Sequence, residues 1–322
     1  MDTATKPPVR HADAAAIREA AKILGDGGLV AFPTETVYGL GADATNGRAV
    51  AKIYAAKARP RFNPLIVHVR DSVHARQYAD FDAIADRLAE KFWPGALTLV
   101  LPRRRECGLS ELVSAGLDTV ALRSPAHAVA AKLLVEAGVP IAAPSANRSG
   151  SISATTAEHV HHSLESKIDL ILDDGATPIG IESTVIGCVG DAPLLLRTGA
   201  IARDAIEAVA GPLAMPGDSS MQSPGRLASH YAPRVPVRLN AKSVHADEAL
   251  LAFGPLVLTG AHLTLNLSAT ADLKEAAANL FAMLHTLDNN GTPIAVMPIP
   301  RHGLGEAIND RLQRAAAPRA KP

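Results

Sequence analysis

Covalent staples are what this sequence lacks most plainly. Its 322 residues contain two cysteines, Cys107 and Cys188, far apart and neither in a CxxC pair. That excludes a disulfide framework and a zinc ribbon, and it is the cysteine usage of a reducing compartment. A chain of this length makes about two domains of roughly 150 residues and folds on burial alone. Aromatic residues are scarce, with 6 Phe, 4 Tyr and 1 Trp, too few for the rows of stacking rings that many single-strand readers use. Charge of neither sign is in excess, since 32 Lys and Arg meet 32 Asp and Glu, which disfavours a protein that grips nucleic acid through a basic face. No uninterrupted apolar stretch reaches about 18 residues, and residues 1–11 carry Lys6, Arg10 and two prolines without an apolar core. Neither a membrane span nor a secretory signal is expected, so the reading is cytoplasmic. No GxSxG elbow, Walker A loop or HExxH occurs, and hydrolase, P-loop and zincin templates fail.

What is present is ordinary globular composition, 48% apolar and 20% charged, in an alternating pattern. After a short lead expected to be disordered, residues 12–24 read as an amphipathic helix stopped by Gly25, Gly27 and Gly28. Residues 29–32 read as a buried strand feeding a polar loop, 33–41. Helices follow at 48–57, 82–92, 126–137, 156–165 and 201–209. Strands follow at 65–69, 97–101, 119–123, 140–143, 169–172, 184–189 and 193–197. Several strands succeed one another without a helix between them, so a twisted mixed sheet with helices packed on it is expected. Five prolines, three glycines and four serines mark residues 211–236 as a linker. Beyond it, strand 255–259, helix 272–287, strand 293–298 and helix 304–315 predict a small Rossmann-like α/β domain. The expected division is 1–210, 211–236 and 237–322.

Charge is segregated along the chain: residues 52–105 hold eleven Lys and Arg against five acids, and residues 106–182 hold four against ten. One basic segment in a neutral protein suits a small polyanion in a cleft. Gly39-Leu-Gly41-Ala-Asp-Ala44 matches a dinucleotide GxGxxA, but about 20 residues on, where an acidic ribose ligand belongs, stand Lys57 and Arg59. Those two cations leave a helix at Pro60. They are either favourable charges at a helix C-terminus or a phosphate clamp, a point charge beside a bidentate fork. Residue types alone leave both open. Pro144-Ser145-Ala146-Asn147 with Ser149, Ser151 and Ser153, and Glu182-Ser183-Thr184, are equally either caps or ligand contacts. His159, His161 and His162 read as an exposed helix surface rather than a metal site, and the 103–105 arginine run as a solvated loop.

Taken together, Pro33-Thr-Glu-Thr-Val-Tyr-Gly-Leu-Gly41, Lys57-x-Arg59 with Asn63-Pro-Leu-Ile-Val-His68, Trp93-Pro-Gly-Ala-Leu-Thr98, Thr119-Val-Ala-Leu-Arg123, Ala143-Pro-Ser-Ala-Asn147, Ser183-Thr-Val and Arg197-x-Gly199 occur in the order seen in the YrdC-like family. His230-Tyr231-Ala-Pro233 and Gly303-Leu-Gly-Glu-Ala-Ile-Asn-Asp-Arg311 resemble its two-domain members, the threonylcarbamoyl-AMP synthases, so the likeness spans nearly the whole chain. One departure is Arg226-Leu-Ala-Ser229, where the family more often has a Met and basic or aromatic residues.

The resemblance implies a twisted mixed sheet joined by a linker to a small second domain. It also implies a nucleotidyltransferase that joins L-threonine, bicarbonate or CO2 and ATP into threonylcarbamoyl-AMP and pyrophosphate, with Mg2+ assisting. The product would pass to a tRNA threonylcarbamoyl transferase complex acting next to the anticodon, without stable tRNA binding by this chain. Lys57 and Arg59 would be catalytic. Thr36, His68, Arg123, Ala143 and Ser183 would hold threonine, and Arg59, Asn63, Thr119, Ser145, Asn147, Ser153, Arg197 and Tyr231 would hold ATP, with no resident metal. Residues 211–236, which carry Arg226, His230 and Tyr231, would act as a mobile cover. Two other readings are another YrdC-like carbamoyl adenylation with a different acceptor, and a non-enzymatic RNA-binding module.

Overall fold

The computed structural model describes residues 7–190, 192–215 and 230–318. Among them ten strands form one mixed sheet in the spatial order Val9–His11, Leu170–Asp173, Val30–Phe32, Gly39–Asp43, Ile141–Ala142, Ile66–His68, Thr119–Arg123, Leu97–Pro102, Thr184–Gly187 and Leu194–Arg197. Neighbours run both parallel and antiparallel, as strands that follow one another without crossover helices require.

The two faces of this sheet are covered differently. One is packed along its length by helices Gly47–Lys57, Ala83–Phe92, Ala157–Leu164 and Arg203–Ala210, around Leu40, Val67, Leu99 and Leu122. The other is covered at one end only, where helices Ala14–Gly25 and Ala128–Ala137 bury Val30, Phe32, Ile141 and Leu172. Further along it, Ile66, Val100, Ala121, Val185 and Leu196 form a small apolar cluster that includes no helix residue among the described ones. Side chains alternate along a strand, so the period that puts Ile66 and Ala121 on this face puts His68 and Arg123, two residues on, there too. This part of the sheet is where the polar residues converge.

Beyond the linker, strands Val237–Arg238, Ile294–Val296, Ala249–Ala252 and Leu263–Asn266, in that spatial order, make an all-parallel sheet. Helices Leu273–Asn290 and Leu304–Ala316 pack against the face that shows Ala249, Leu251, Ile294 and Val296. The opposite face, with Leu250, Ala252 and Ala295, is closed by Ala241, Val244, Leu258 and Ala261 from loops. The domain therefore has a helical layer on one side of its sheet. Its core is continuous with the first domain: Val37, Ile152 and Ile181, together with Tyr231 of the linker, bury into the cluster that holds Leu280, Phe281 and Ile308.

Several expectations need correction. Val9–His11, expected to be disordered, pairs in parallel with residues 171–173 at the sheet edge. Gly39–Asp43, whose first three residues read as loop, is a strand in the middle of the sheet. Its glycines hid it, and packing requires the second: a Cβ on Gly41 would stand 2.8 Å from Phe32 Cε1 and 2.9 Å from Ile141 Cγ2. The GxGxxA match falls on this strand rather than on a strand-to-helix turn, and Gly39 bridges to Ser145. Residues 255–259 form no strand. They follow Gly254 (φ 87°) and leave Leu256 exposed, while the strand lies at Ala249–Ala252, an Ala-Leu-Leu-Ala stretch without β-branched residues. His159 is not a free surface residue but stacks on His285 with centroids 3.9 Å apart, and Arg103 is tied to the Leu109 carbonyl and to Glu111. Linker residues 216–229, Arg226 among them, lie outside the described residues.

Candidate active site

The C-terminal ends of strands Ile66–His68 and Thr119–Arg123 lie side by side, with His68 opposite Arg123. The turn 33–38, the residues after strand Ile141–Ala142, the turn before Thr184–Gly187 and the end of Leu194–Arg197 close around them. Together they line a cleft of about 590 Å³ whose walls include Thr34, Thr36, Arg59, His68, Arg123, Ala143, Ser145, Glu182, Ser183, Arg197, His230 and Tyr231. Three guanidinium groups face one carboxylate among these residues, which makes the cleft cationic.

Each arginine is held by neighbouring oxygens, from the backbone in all three cases, from a hydroxyl at Arg123 and Arg197, and from a carboxylate at Arg123. Arg123 donates from Nη1 to Thr36 Oγ1 (2.9 Å) and from Nε to the Gly95 carbonyl (3.1 Å), and its Nη2 pairs with Glu35 at 2.7 Å. Arg59 leaves helix Gly47–Lys57 through Ala58, whose φ is 49°, and donates to the Asn63 and Pro64 carbonyls at 3.3 and 3.1 Å. Arg197 donates to the Ser183 carbonyl from both Nε and Nη2 and to Ser183 Oγ from Nη2. Gly199 lets this contact form, because a Cβ there would lie 2.4 Å from the Ser183 carbonyl carbon. Burial lowers the Arg59 pKa to about 10 and also lowers that of Arg197. The desolvated cations are thereby primed for an anion. His68 is pushed down to about 3 by burial and then by the Arg123 charge, so its imidazole is neutral at pH 7, and its Nδ1 has no hydrogen-bond partner among the described residues. His230 is likewise held neutral, by burial first and then by Arg59, Lys57 and Arg197.

The cleft gathers nine residues assigned to catalysis or ligand binding from sequence, Thr36, Arg59, His68, Arg123, Ala143, Ser145, Ser183, Arg197 and Tyr231, together with His230. The Lys57/Arg59 pair is divided. Arg59 lines the cleft, whereas Lys57 is buried beneath it and donates to the carbonyls of Ser145 (2.5 Å) and Asn147. Burial, then the Arg59 charge, pushes the Lys57 pKa well down. Asn147 turns its amide back to the Arg148 and Ser151 carbonyls, Asn63 offers its backbone to Arg59, and Ser153 donates to Glu182 at 2.5 Å. Thr119 stands at the opposite end of its strand from Arg123, paired with Pro102.

Glu35, Glu182 and Arg311 were not assigned site roles from sequence. Arg311, completely buried, reaches from helix Leu304–Ala316 to Glu182 at 3.1 Å. A signal for it was present, because Arg311 falls on the apolar face set by Ala307, Ile308, Leu312 and Ala315.

The fold and the cation-lined cleft define a two-domain YrdC-like protein. Residues 22–199 match the Sua5/YciO/YrdC family, described as "Telomere recombination", and residues 201–317 match the C-terminal domain of threonylcarbamoyl-AMP synthase. Threonylcarbamoyl-AMP synthase of Bacillus subtilis is 43% identical over 94% of this chain and 93% of its own length. That of Pyrococcus abyssi is 39% identical over 93% and 94%. The crystal structure of P. abyssi Sua5 complexed with L-threonine superposes with a TM-score of 0.87, at 37% identity, over 96% of both chains. The chain belongs to the threonylcarbamoyl-AMP synthase family.

Proposed function

We propose that this chain condenses L-threonine, bicarbonate or CO2 and ATP into threonylcarbamoyl-AMP with release of pyrophosphate, for modification of tRNA next to the anticodon. The observation that supports it most is the convergence of Arg59, Arg123 and Arg197 on one cleft edged by the Thr36 and Ser183 hydroxyls. The reaction brings anions together. The threonine amine, once deprotonated, adds to CO2 to give a carbamate. A carbamate oxygen then attacks the α-phosphorus as its bond to the pyrophosphate oxygen breaks. Fixed cations that need no reorganisation are what such a step requires.

In this reading Arg123 receives the threonine carboxylate, which must share that guanidinium with Glu35. Thr36, Ser183 and the Ala143 backbone hold the amino acid's polar groups beside neutral His68. Arg59 and Arg197 take phosphate oxygens, while Ser145 and Tyr231 complete the nucleotide side. Lys57 serves from below by fixing the carbonyls of Ser145 and Asn147, and Asn63, Asn147 and Ser153 shape the loops that carry ATP contacts. Thr119 is assigned to ATP by family resemblance alone.

Among the described residues no three His, Cys, Asp or Glu side chains form a metal-holding group. Glu182 is engaged by Ser153 and Arg311, so the described donors do not fit a resident ion, and Mg2+ is assigned to the phosphates of ATP. We further assign residues 1–210 to catalysis, 211–236 to a linker and cover, and 237–322 to the second domain. No helix among the described residues is long and apolar enough to cross a membrane, and a cytoplasmic chain that hands its product to a tRNA threonylcarbamoyl transferase fits this reading. Pyrophosphate release measured with and without L-threonine tests the proposal. Threonine-dependent release is expected. Release that ignores threonine would favour another carbamoyl adenylation, and no release would favour a binding module.

A further inference from the structure

We propose that Arg311 of the second domain is a positioning residue for ATP, acting by neutralising Glu182, the one carboxylate among the described residues that line the cleft. This rests on reading the cleft as the nucleotide site. Glu182 is 6% exposed and its turn is gripped on every side: Ser153 Oγ donates to Oε1 at 2.5 Å, Arg311 Nε donates to Oε2 at 3.1 Å, and the Ala200 amide donates to its carbonyl at 3.0 Å. The next residue, Ser183, carries the oxygens that orient Arg197. A carboxylate in that position opposes a triphosphate unless a cation cancels it. The first-domain arginines of the cleft are turned to other acceptors, Arg197 to Ser183 and Arg59 to the 63–64 carbonyls.

Arg311 supplies the cancelling charge from outside the catalytic domain. Although burial works against its ionisation, Tyr231, Glu182 and Asp310 together hold its pKa above the ordinary arginine value, so it remains a cation. Its guanidinium lies 5.4 Å from the centre of the Tyr231 ring and donates to Thr198 Oγ1 at 3.4 Å. Asp310 also pairs with Arg311 but is shared with Arg314, whose carbonyl accepts the His230 amide. One side chain thus ties the second domain to the Glu182 turn, to the end of strand Leu194–Arg197 and to the aromatic end of the linker. The second domain completes the electrostatics of a site whose described lining residues all come from elsewhere in the chain.

The test uses the purified full chain and initial rates of threonine-dependent pyrophosphate release, with ATP and L-threonine varied separately. Arg311→Met should raise the KM for ATP by about tenfold or more while the KM for threonine moves less than about twofold, because truncating one partner of a buried charge pair leaves the other charge uncompensated. Arg311→Lys should restore most of the loss. The double variant Arg311→Met with Glu182→Gln should return the ATP KM to within about threefold of the parent, since Gln keeps the Ser153 bond and removes the charge. This variant buries no lone charge, so the test survives if Arg311→Met alone fails to fold. A double variant as impaired as the single one, an unchanged ATP KM in Arg311→Met, or equal shifts in both KM values would overturn the inference. Absence of threonine-dependent release from the parent chain would instead overturn the functional reading itself.

Discussion

The seam between the two domains is tested most sharply at Gly180. This residue has φ 76°, and a Cβ placed on it would lie 2.4 Å from the Ala278 carbonyl oxygen and 2.6 Å from both the Ala277 oxygen and Ala278 Cα. All three are backbone atoms of helix Leu273–Asn290, so no side chain can swing aside. Ordinary contact begins near 3.4 Å, and either the loop or the helix must retreat by about 1 Å. Gly180→Ala then carries about 1–2 kcal/mol for left-handed backbone and about 1–3 kcal/mol for overpacking, offset by up to about 1 kcal/mol of unfolded-chain entropy. The net loss of about 1–5 kcal/mol lowers Tm by roughly 1.5 °C for each kcal/mol in a chain of 322 residues. Gly175→Ala is the control: its φ is 79°, but nothing stands within 4 Å of its Cβ position, so only the backbone cost applies. Activity should fall with stability, because the Ile179 amide donates to the Glu35 carbonyl and Glu182 lies two residues beyond Gly180. Thermal melts and ATP titrations of both variants decide it. A Gly180→Ala protein no less stable than Gly175→Ala would refute the steric reasoning.

Arg59→Ala should lower turnover about 100-fold in a folded protein, since one preorganised cation is removed from phosphoryl transfer; a near-normal kcat would count against its role. Arg123→Ala should chiefly raise the threonine KM, the lost contact being to a carboxylate present in ground and transition states alike; a change confined to ATP would contradict it. Acid should weaken the fold through His68, which binds a proton near pH 3 when folded and near 6.5 when unfolded. Between those values the unfolded chain holds the extra proton, so stability is intact above about pH 6.5 and declines as pH falls toward 3, by roughly 1.5 kcal/mol between pH 6.5 and 5. Urea melts of His68→Gln should show a shallower decline over that window, and an unchanged slope would remove His68 as its source.

Local pattern was enough to determine much of this protein. Apolar residues at helical spacing located helices Ala14–Gly25, Ala83–Phe92 and Leu304–Ala316 to within a few residues, and strand Thr119–Arg123 was read at its exact bounds. The order of the motifs identified the family, and with it nine residues that share the cleft. What local pattern could not carry was any choice made by distant backbone. Gly39–Asp43 is a strand because it pairs with Val30–Phe32 and Ile141–Ala142, where Gly41 leaves room for the Phe32 and Ile141 side chains, a constraint no neighbouring residue encodes. Ala249–Ala252 is a strand because it is buried on both faces, although its composition favours a helix. Lys57 and Arg59 are two residues apart and chemically alike, yet helix geometry sends one beneath the cleft and the αL turn at Ala58 sends the other into it. Arg311 and Glu182 are 129 positions apart, and their pairing exists only once the second domain docks. Sequence determines which groups are available and which local shapes they prefer. Which buried charges meet is decided by packing, because the cost of leaving a charge unpaired is felt only after water has been excluded around it.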